Sequence, residues 1–448
     1  MNPLSTPHDL PQESATSSSS MSRRKLLSAL GASGLAIAAG GLFSTSVAQA
    51  AASSTPIYNV KDYGVYGNSR PDQDDAPAIQ NVLDTAALNG GIVYFPPGMY
   101  FIQSSLRVGS NVILLGAGKN TILKSFMNKF GLLNLSAVSN VQIHRMAFQG
   151  MGSFSASYVP LIENGISLTK AADIYISECY FSQIENGIKS VDSSRVTISS
   201  CIFDSILGAL DYAYLGFGIW CNNADSHRIE YNDFNQLFQA CISLNNGTKN
   251  SVVAHNRMSR CFTIAIDISA QPSEDPCKQN IISENIIEEF INSSGKTGYT
   301  LGIRLKGNCI SNQVTRNMIS DIDDGAIRIE SKGSKQKERP HFNTIEQNTI
   351  QTIRKSGIVV LNSYANRVHA NNIRDCKGNG ILLYSEGKDT GSSCSNNHIT
   401  ANSLVNCSSA PIRISDANCK ATIQYGNIGS GNGDTIIDKG TDTITTSL

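Results

Sequence analysis

Residues 317–331 read NMISDIDDGAIRIES. Asn317 opens an Asn-x-aliphatic triplet, and ten residues later Ile327 sits in a short alternating run that follows a glycine. The triplet recurs as NDF at Asn232, NRM at Asn256, NII at Asn285, NTI at Asn348, NNI at Asn371 and NSL at Asn402. The intervals between them are 24, 29, 32, 31, 23 and 31 residues. Helical repeats hold a fixed length, whereas short strands joined by turns tolerate insertions, so the pattern predicts a β-solenoid. The second half of each coil repeats as well, as GIKS at Gly187, AIDI at Ala265, GIRL at Gly302, AIRI at Ala326, GIVV at Gly357, GILL at Gly380 and PIRI at Pro411. Ile and Leu are expected to stack inside. The asparagines are expected to form a ladder whose side chains bond turn backbone that would otherwise be buried unpaired.

Composition agrees with this reading. The chain has 448 residues, 40% of them hydrophobic, with 37 glycines and 36 basic against 36 acidic side chains. Ile, Val, Ser, Thr and Asn punctuated by Gly suit short strands and turns, and a balanced charge argues against nucleic-acid binding. Residues 21–50, MSRRKLLSALGASGLAIAAGGLFSTSVAQA, combine Arg23-Arg24, a Gly/Ala-softened apolar stretch and an A-x-A site at Ala48-Gln49-Ala50. They read as a bacterial twin-arginine (Tat) export signal. A membrane anchor is the competing reading of so weakly hydrophobic a stretch. The expected organisation is an extension and signal peptide over residues 1–50 and one domain over 51–448, secreted and without a stable membrane span once the signal is removed. The 11 cysteines include stacked positions such as Cys376 with Cys407 and Cys277 with Cys309. Coil-to-coil disulfides are geometrically open there; buried free thiols packed as small apolar residues are the favoured expectation. No C-x-x-C or H-x-x-x-H spacing points to a metal.

Asp75 to Leu88 is expected to be a helix. Acidic residues open it, Ala78, Ile79, Val82, Leu83 and Ala86 form one apolar stripe, and Asn89-Gly90-Gly91 ends it. Around it lie VKDYG at Val60, DDAPAIQ at Asp74, GGIVYFPPGMY at Gly90 and LLGAGKNTIL at Leu114. These motifs resemble the N-terminal region of the pectate-lyase-like superfamily of secreted β-helix proteins. The resemblance implies an all-β, right-handed parallel β-helix. Its residues 58–125 would form the N-terminal cap and first coils, the short helix closing the end of the first coil.

Strand side chains alternate, so residues one and three after each strand isoleucine should face outward. Successive coils then present Lys189 and Val191, Trp220 and Asn222, Ser243 and Asn245, Asp267 and Ser269, Arg304 and Lys306, Arg328 and Glu330, and Val359 and Leu361. Insertions of roughly LDYAYLGF after Ala209 and NSSGKTGY after Ile291 bracket this region and are expected to wall a groove. Interleaved Asp267, Arg304, Lys306, Arg328 and Glu330 beside the single tryptophan suit a sugar site. Trp220 offers a flat apolar face, cations hold carboxylates and acidic groups move protons. Ordinary cross-strand ion pairs on a solvated sheet would give the same pattern. Lys189, Trp220, Asn222 and Asn245 are taken as substrate-binding and the five charged residues as catalytic. The Val359, Leu361, Leu382 and Tyr384 strip is expected to be covered by a loop, a C-terminal segment or another subunit, which leaves an oligomer open.

Asp323 and Asp324 are the alternative catalytic pair. They resemble the paired aspartates of the polygalacturonase family, yet no NTD precedes them, no GHG follows, and the GIRLK at Gly302 comes before the pair instead of after it. The R-x-P-x-x-R of pectate lyases and a calcium cluster of aspartates are absent as well. Arg304, Lys306 and Arg328 could still supply the cation and base of a β-elimination, with Asp267 orienting an arginine or binding calcium, the one cofactor considered. For a hydrolase, Asp267 and Glu330 stand two coils apart, about 9.6 Å before any offset along the strand, at the limit for an inverting pair. The expectation is therefore an exported protein that cleaves an acidic polysaccharide by β-elimination. Its alternatives are a polygalacturonase-like hydrolase and a non-catalytic glycan-binding protein resembling phage tail fibres.

Overall fold

The computed structural model describes residues 55–125, 130–152, 163–208, 215–290, 300–331, 338–386 and 393–446. The export signal and its cleavage site, and most of the two insertions expected to wall the groove, lie outside these residues. The described chain from Thr55 is a right-handed parallel β-helix of three long parallel sheets with 15, 13 and 13 strands. One coil illustrates all of them. Gln313–Thr315 lies in the first sheet, Arg316 turns the chain with φ 54°, Met318–Ile322 lies in the second sheet and Gly325–Glu330 in the third.

The asparagine ladder stands at the turn between the first two sheets. Asn317 Oδ1 accepts from the Asn285 backbone N–H at 3.0 Å and from Asn285 Nδ2 at 2.9 Å, while Asn317 Nδ2 donates to Ile282 O at 2.9 Å and to Asn348 Oδ1 at 3.0 Å. The same bonds link Asn232, Asn256, Asn285, Asn348, Asn371, Asn402 and Asn427. A second ladder, not anticipated from the sequence, runs through Asn280, Asn312, Asn343, Asn366 and Asn397. Its signal was present, since each member lies five residues before a member of the first ladder. Two coils earlier the buried His227 holds that position. Its backbone N–H donates to Ser251 Oγ, and its imidazole bonds Ser190 Oγ at 2.9 Å. Burial drops its pKa to about 4.

Inside, Ile188, Ile219, Ile242, Ile266, Ile303, Ile327, Ile358 and Ile381 are fully buried in one column. Phe148, Phe181, Phe203 and Phe234 stack nearly parallel at centroid spacings of 5.0, 4.7 and 4.7 Å. The helix runs Ala76–Asn89, one residue later at each end than its pattern predicts, and buries Ala76, Ile79, Val82, Leu83 and Ala86. Asp75 precedes it, but its carboxylate accepts from the Tyr66 and Gly67 backbone N–H groups instead of capping the helix. All 11 cysteines are buried and free.

Candidate functional site

Strand pairing in the third sheet sets the outward residues in two columns. One holds Lys189, Trp220, Ser243, Asp267, Arg304, Arg328 and Val359; its neighbour holds Val191, Asn222, Asn245, Ser269, Lys306, Glu330 and Leu361. All nine residues expected at the groove therefore share one face. The inward isoleucines force this register, because a slip by one residue would turn the whole apolar set to the outside.

The charges on this face are joined into one chain. Arg304 grips Asp267 with both arms of its fork, Nε to Oδ1 at 2.8 Å and Nη2 to Oδ2 at 2.9 Å, and its Nη1 lies 3.8 Å from Glu330 Oε1. Glu330 Oε2 in turn accepts from Arg328 Nε at 2.6 Å, and Arg328 Nη2 donates to the Tyr384 hydroxyl at 3.1 Å. Asp267, Arg304 and Glu330 are buried residues, at 8, 8 and 6% exposure. They are a sheltered, internally neutralised strip and not exposed pairs of a solvated sheet. Glu330 stands in register with Lys306 but turns instead to the arginine two residues back on its own strand. The guanidinium fork reaches and matches a carboxylate better than an ammonium does. Each Asp267 oxygen accepts a hydrogen bond from Arg304. Among the described residues no cluster of three or more His, Cys, Asp or Glu side chains could hold a metal.

Two further cations lie on the face. Lys306 and Lys189 make no ion pair among the described residues, and Lys189 Nζ lies instead over the Trp220 ring, 5.0 Å from its centroid. Trp220 is half-buried and packs against an apolar strip of Phe217, Ala240, Ile264 and Leu301 that pattern reading did not separate from the core. Asn245 Nδ2 donates to Ser243 Oγ at 2.8 Å, and Asn222 Oδ1 accepts from Asn246 Nδ2 at 3.2 Å, which fixes the amides beside the tryptophan. Tyr384, assigned to an apolar strip by its column, belongs with Arg328, and burial raises the pKa of its phenol. Val359 and Leu361 in that strip are buried.

Asp323 and Asp324 stand apart from these columns, in the turn that enters the third sheet. Asp324 Oδ2 accepts from the Thr300 backbone N–H and its other oxygen meets Lys355 Nζ; Asp323 Oδ1 lies 3.1 Å from Arg354 Nε. Glu163 and Glu185 repeat this use of a carboxylate two coils from the start of the same sheet, Glu185 Oε2 accepting from the Glu163 backbone N–H at 2.8 Å. The paired aspartates thus have the structural work of a polar turn.

The chain belongs to the rhamnogalacturonase A/epimerase, pectate lyase-like family, which it matches over residues 57–382. A 76-residue stretch is 42% identical to the mannuronan C5-epimerase AlgE6 of Azotobacter vinelandii; it covers 15% of this chain and only 8% of that protein's length. The A-module of that epimerase has a similar fold, with a TM-score of 0.54 at 16% identity over 87% of this chain and 99% of the module. A tailspike of E. coli bacteriophage HK620, solved with a hexasaccharide, aligns with a TM-score of 0.62 at 12% identity over 87% of this chain and 80% of the tailspike. The family match and these alignments establish the family and the β-helix fold.

Proposed function

We propose that the protein acts on an acidic polysaccharide laid along this face and cleaves it by β-elimination. The observation that carries the reading is the charge pattern. Asp267, Arg304, Glu330 and Arg328 neutralise one another, so Lys189 and Lys306 are the basic groups of the face left without a carboxylate among the described residues. Lys189 and Lys306 lie four coils apart, about 19 Å at the strand spacing, which suits an oligomer of uronates and not a single sugar. A sugar ring stacks on Trp220 beside Asn222 and Asn245. Arg328, held by Glu330, neutralises a uronate carboxylate, and Lys306 takes the proton beside that carboxylate. The electron pair of the broken C–H bond forms the new double bond, the glycosidic C–O bond breaks, and Tyr384, kept protonated by burial, gives a proton to the leaving oxygen. Asp267 and Arg304 position this set. The twin-arginine leader supports an exported site of action, and N-terminal sequencing of secreted protein tests whether the chain begins at Ala51.

A second reading shares the first step. If the abstracted proton returns from the opposite side, the uronate is epimerised and the polymer stays whole; the stretch that resembles a mannuronan C5-epimerase favours including it. The test incubates the chain with acidic and neutral polysaccharides in D2O, with and without calcium. It follows unsaturated-uronide absorbance, reducing ends and deuterium in the polymer. Absorbance and ends rising together support elimination; deuterium alone supports epimerisation. Reducing ends alone point to a hydrolase using Asp267 and Glu330, and silence in all three to a glycan-binding protein. Lys306→Met should abolish turnover by elimination while leaving the fold intact.

A further inference from the structure

We propose that Cys241 and Cys261 are a disulfide site that staples two successive coils behind the charged face. Their sulfurs lie 3.2 Å apart although 20 residues separate them in sequence, and both side chains are buried. The contact is built by complementary volumes. Cys241 occupies the column just before the inward isoleucine, where neighbouring coils carry Gly218, Ala265, Gly302 and Ala326. A side chain there meets the residue that ends the second-sheet segment one coil on. A Cβ on Gly218 would come within 2.8 Å of Leu237, and one on Gly380 within 3.1 Å of Cys407 Sγ. Where the column admits Cys241, the facing position shrinks from the Leu237 and Phe290 of adjacent coils to Cys261, so two thiols meet where those coils hold one large side chain.

Other cysteines meet in a different way, stacked in register from one coil to the next, and the thiols of Cys376 and Cys407 and of Cys394 and Cys419 also interact. Cys277 with Cys309, and Cys394 with Cys419, face each other across parallel strands. Residues in register on neighbouring strands stand about 4.8 Å apart, a little beyond the roughly 3.5–4.5 Å between Cβ atoms that a disulfide takes. Cys241 and Cys261 approach across a corner, from different sheets, and closing to a bond needs a movement of about 1 Å. With oxidised glutathione as oxidant, one thiolate attacks its disulfide and releases one reduced glutathione. The second thiolate then displaces the other, so the two thiol protons end on the two glutathione thiolates, the two sulfurs are oxidised and the glutathione disulfide is reduced. The bond would tie the strand that carries Ser243 and Asn245 to the coil that leads into Asp267.

The experiment refolds the reduced full chain in a glutathione redox buffer, alkylates remaining thiols and maps the unreduced digest by mass spectrometry. The expected result is a peptide pair linked through Cys241 and Cys261. It should bring about a hundredfold fall in the unfolding equilibrium constant relative to the same protein after reduction. Cys241→Ala, which installs the residue found at positions 265 and 326, should fold and lose that gain. Recovery of both cysteines as alkylated thiols from folded, oxidatively refolded protein overturns the proposal. So does a linked pair that excludes either one. Neither outcome depends on the polysaccharide reading.

Discussion

Replacing Asp267 by Asn keeps the side-chain volume but removes a charge that faces Arg304 through two hydrogen bonds of 2.8 and 2.9 Å. The two side chains are 11 and 10% exposed, so water cannot take the place of the lost carboxylate. The new amide also sets an N–H against a guanidinium N–H. Breaking one side of a buried ion pair costs about 3–5 kcal/mol. Glu330, 3.8 Å from Arg304 Nη1, still offsets part of the stranded charge, which places the expected loss near the lower end, about 3 kcal/mol. Urea unfolding measures it without adding salt. The double variant Asp267→Leu/Arg304→Met should recover most of that loss, because an apolar pair of similar volume removes the desolvation penalty along with the attraction. A single variant within about 0.5 kcal/mol of the parent would mean that solvent screens the pair as on an open surface, and the sheltered-strip reading would fail.

Three further outcomes are expected. Asn317→Leu strands the Asn285 backbone N–H and the Ile282 carbonyl in the core. It should cost about 3–5 kcal/mol at roughly 1–3 per orphaned group, with the Asn285 amide losing hydrogen-exchange protection first; a loss under about 1 kcal/mol would deny the ladder its role. His227 sits at about pKa 4 in the fold against about 6.5 in the unfolded chain. Its folded pKa is depressed, so the unfolded form takes up a proton that the folded form refuses as pH falls. Stability is therefore full above about pH 6.5 and declines by about 3 kcal/mol down to pH 4. His227→Asn, which matches the ladder residue of later coils, should flatten this part of the profile relative to the parent, and an unchanged slope would remove His227 as its source. Phe203→Ala opens a hole between rings stacked at 4.7 Å on both sides and should cost about 3–5 kcal/mol; differential scanning calorimetry showing an unmoved transition would contradict that packing.

The solenoid was legible because its cause is local and repeated. A parallel coil needs an aliphatic residue inside every strand and a side chain that bonds the turn, and both recur at countable spacing. The outward columns followed from the period of two, which leaves a strand no freedom once its isoleucines face inward. The second ladder had an equally regular signal, five residues ahead of the first, and was overlooked because a polar residue in a turn looks ordinary without its buried partner. The pairing of the charges could not be read this way. Spacing brought Lys306 and Glu330 side by side, but the reach and planarity of Arg328 and Arg304 decided which cation Glu330 holds.

The sequence alone determined the architecture, the face that carries Trp220, Asp267, Arg304, Lys306, Arg328 and Glu330, and the family resemblance. Those depend on periodicity along the chain. Only the tertiary structure decided that Asp267 and Glu330 are sheltered and engaged, that Tyr384 joins the charged chain, that Asp323 and Asp324 serve a turn, and that Cys241 meets Cys261. These depend on burial, side-chain reach and corner geometry, which arise when separate coils stack and which no interval along the chain records.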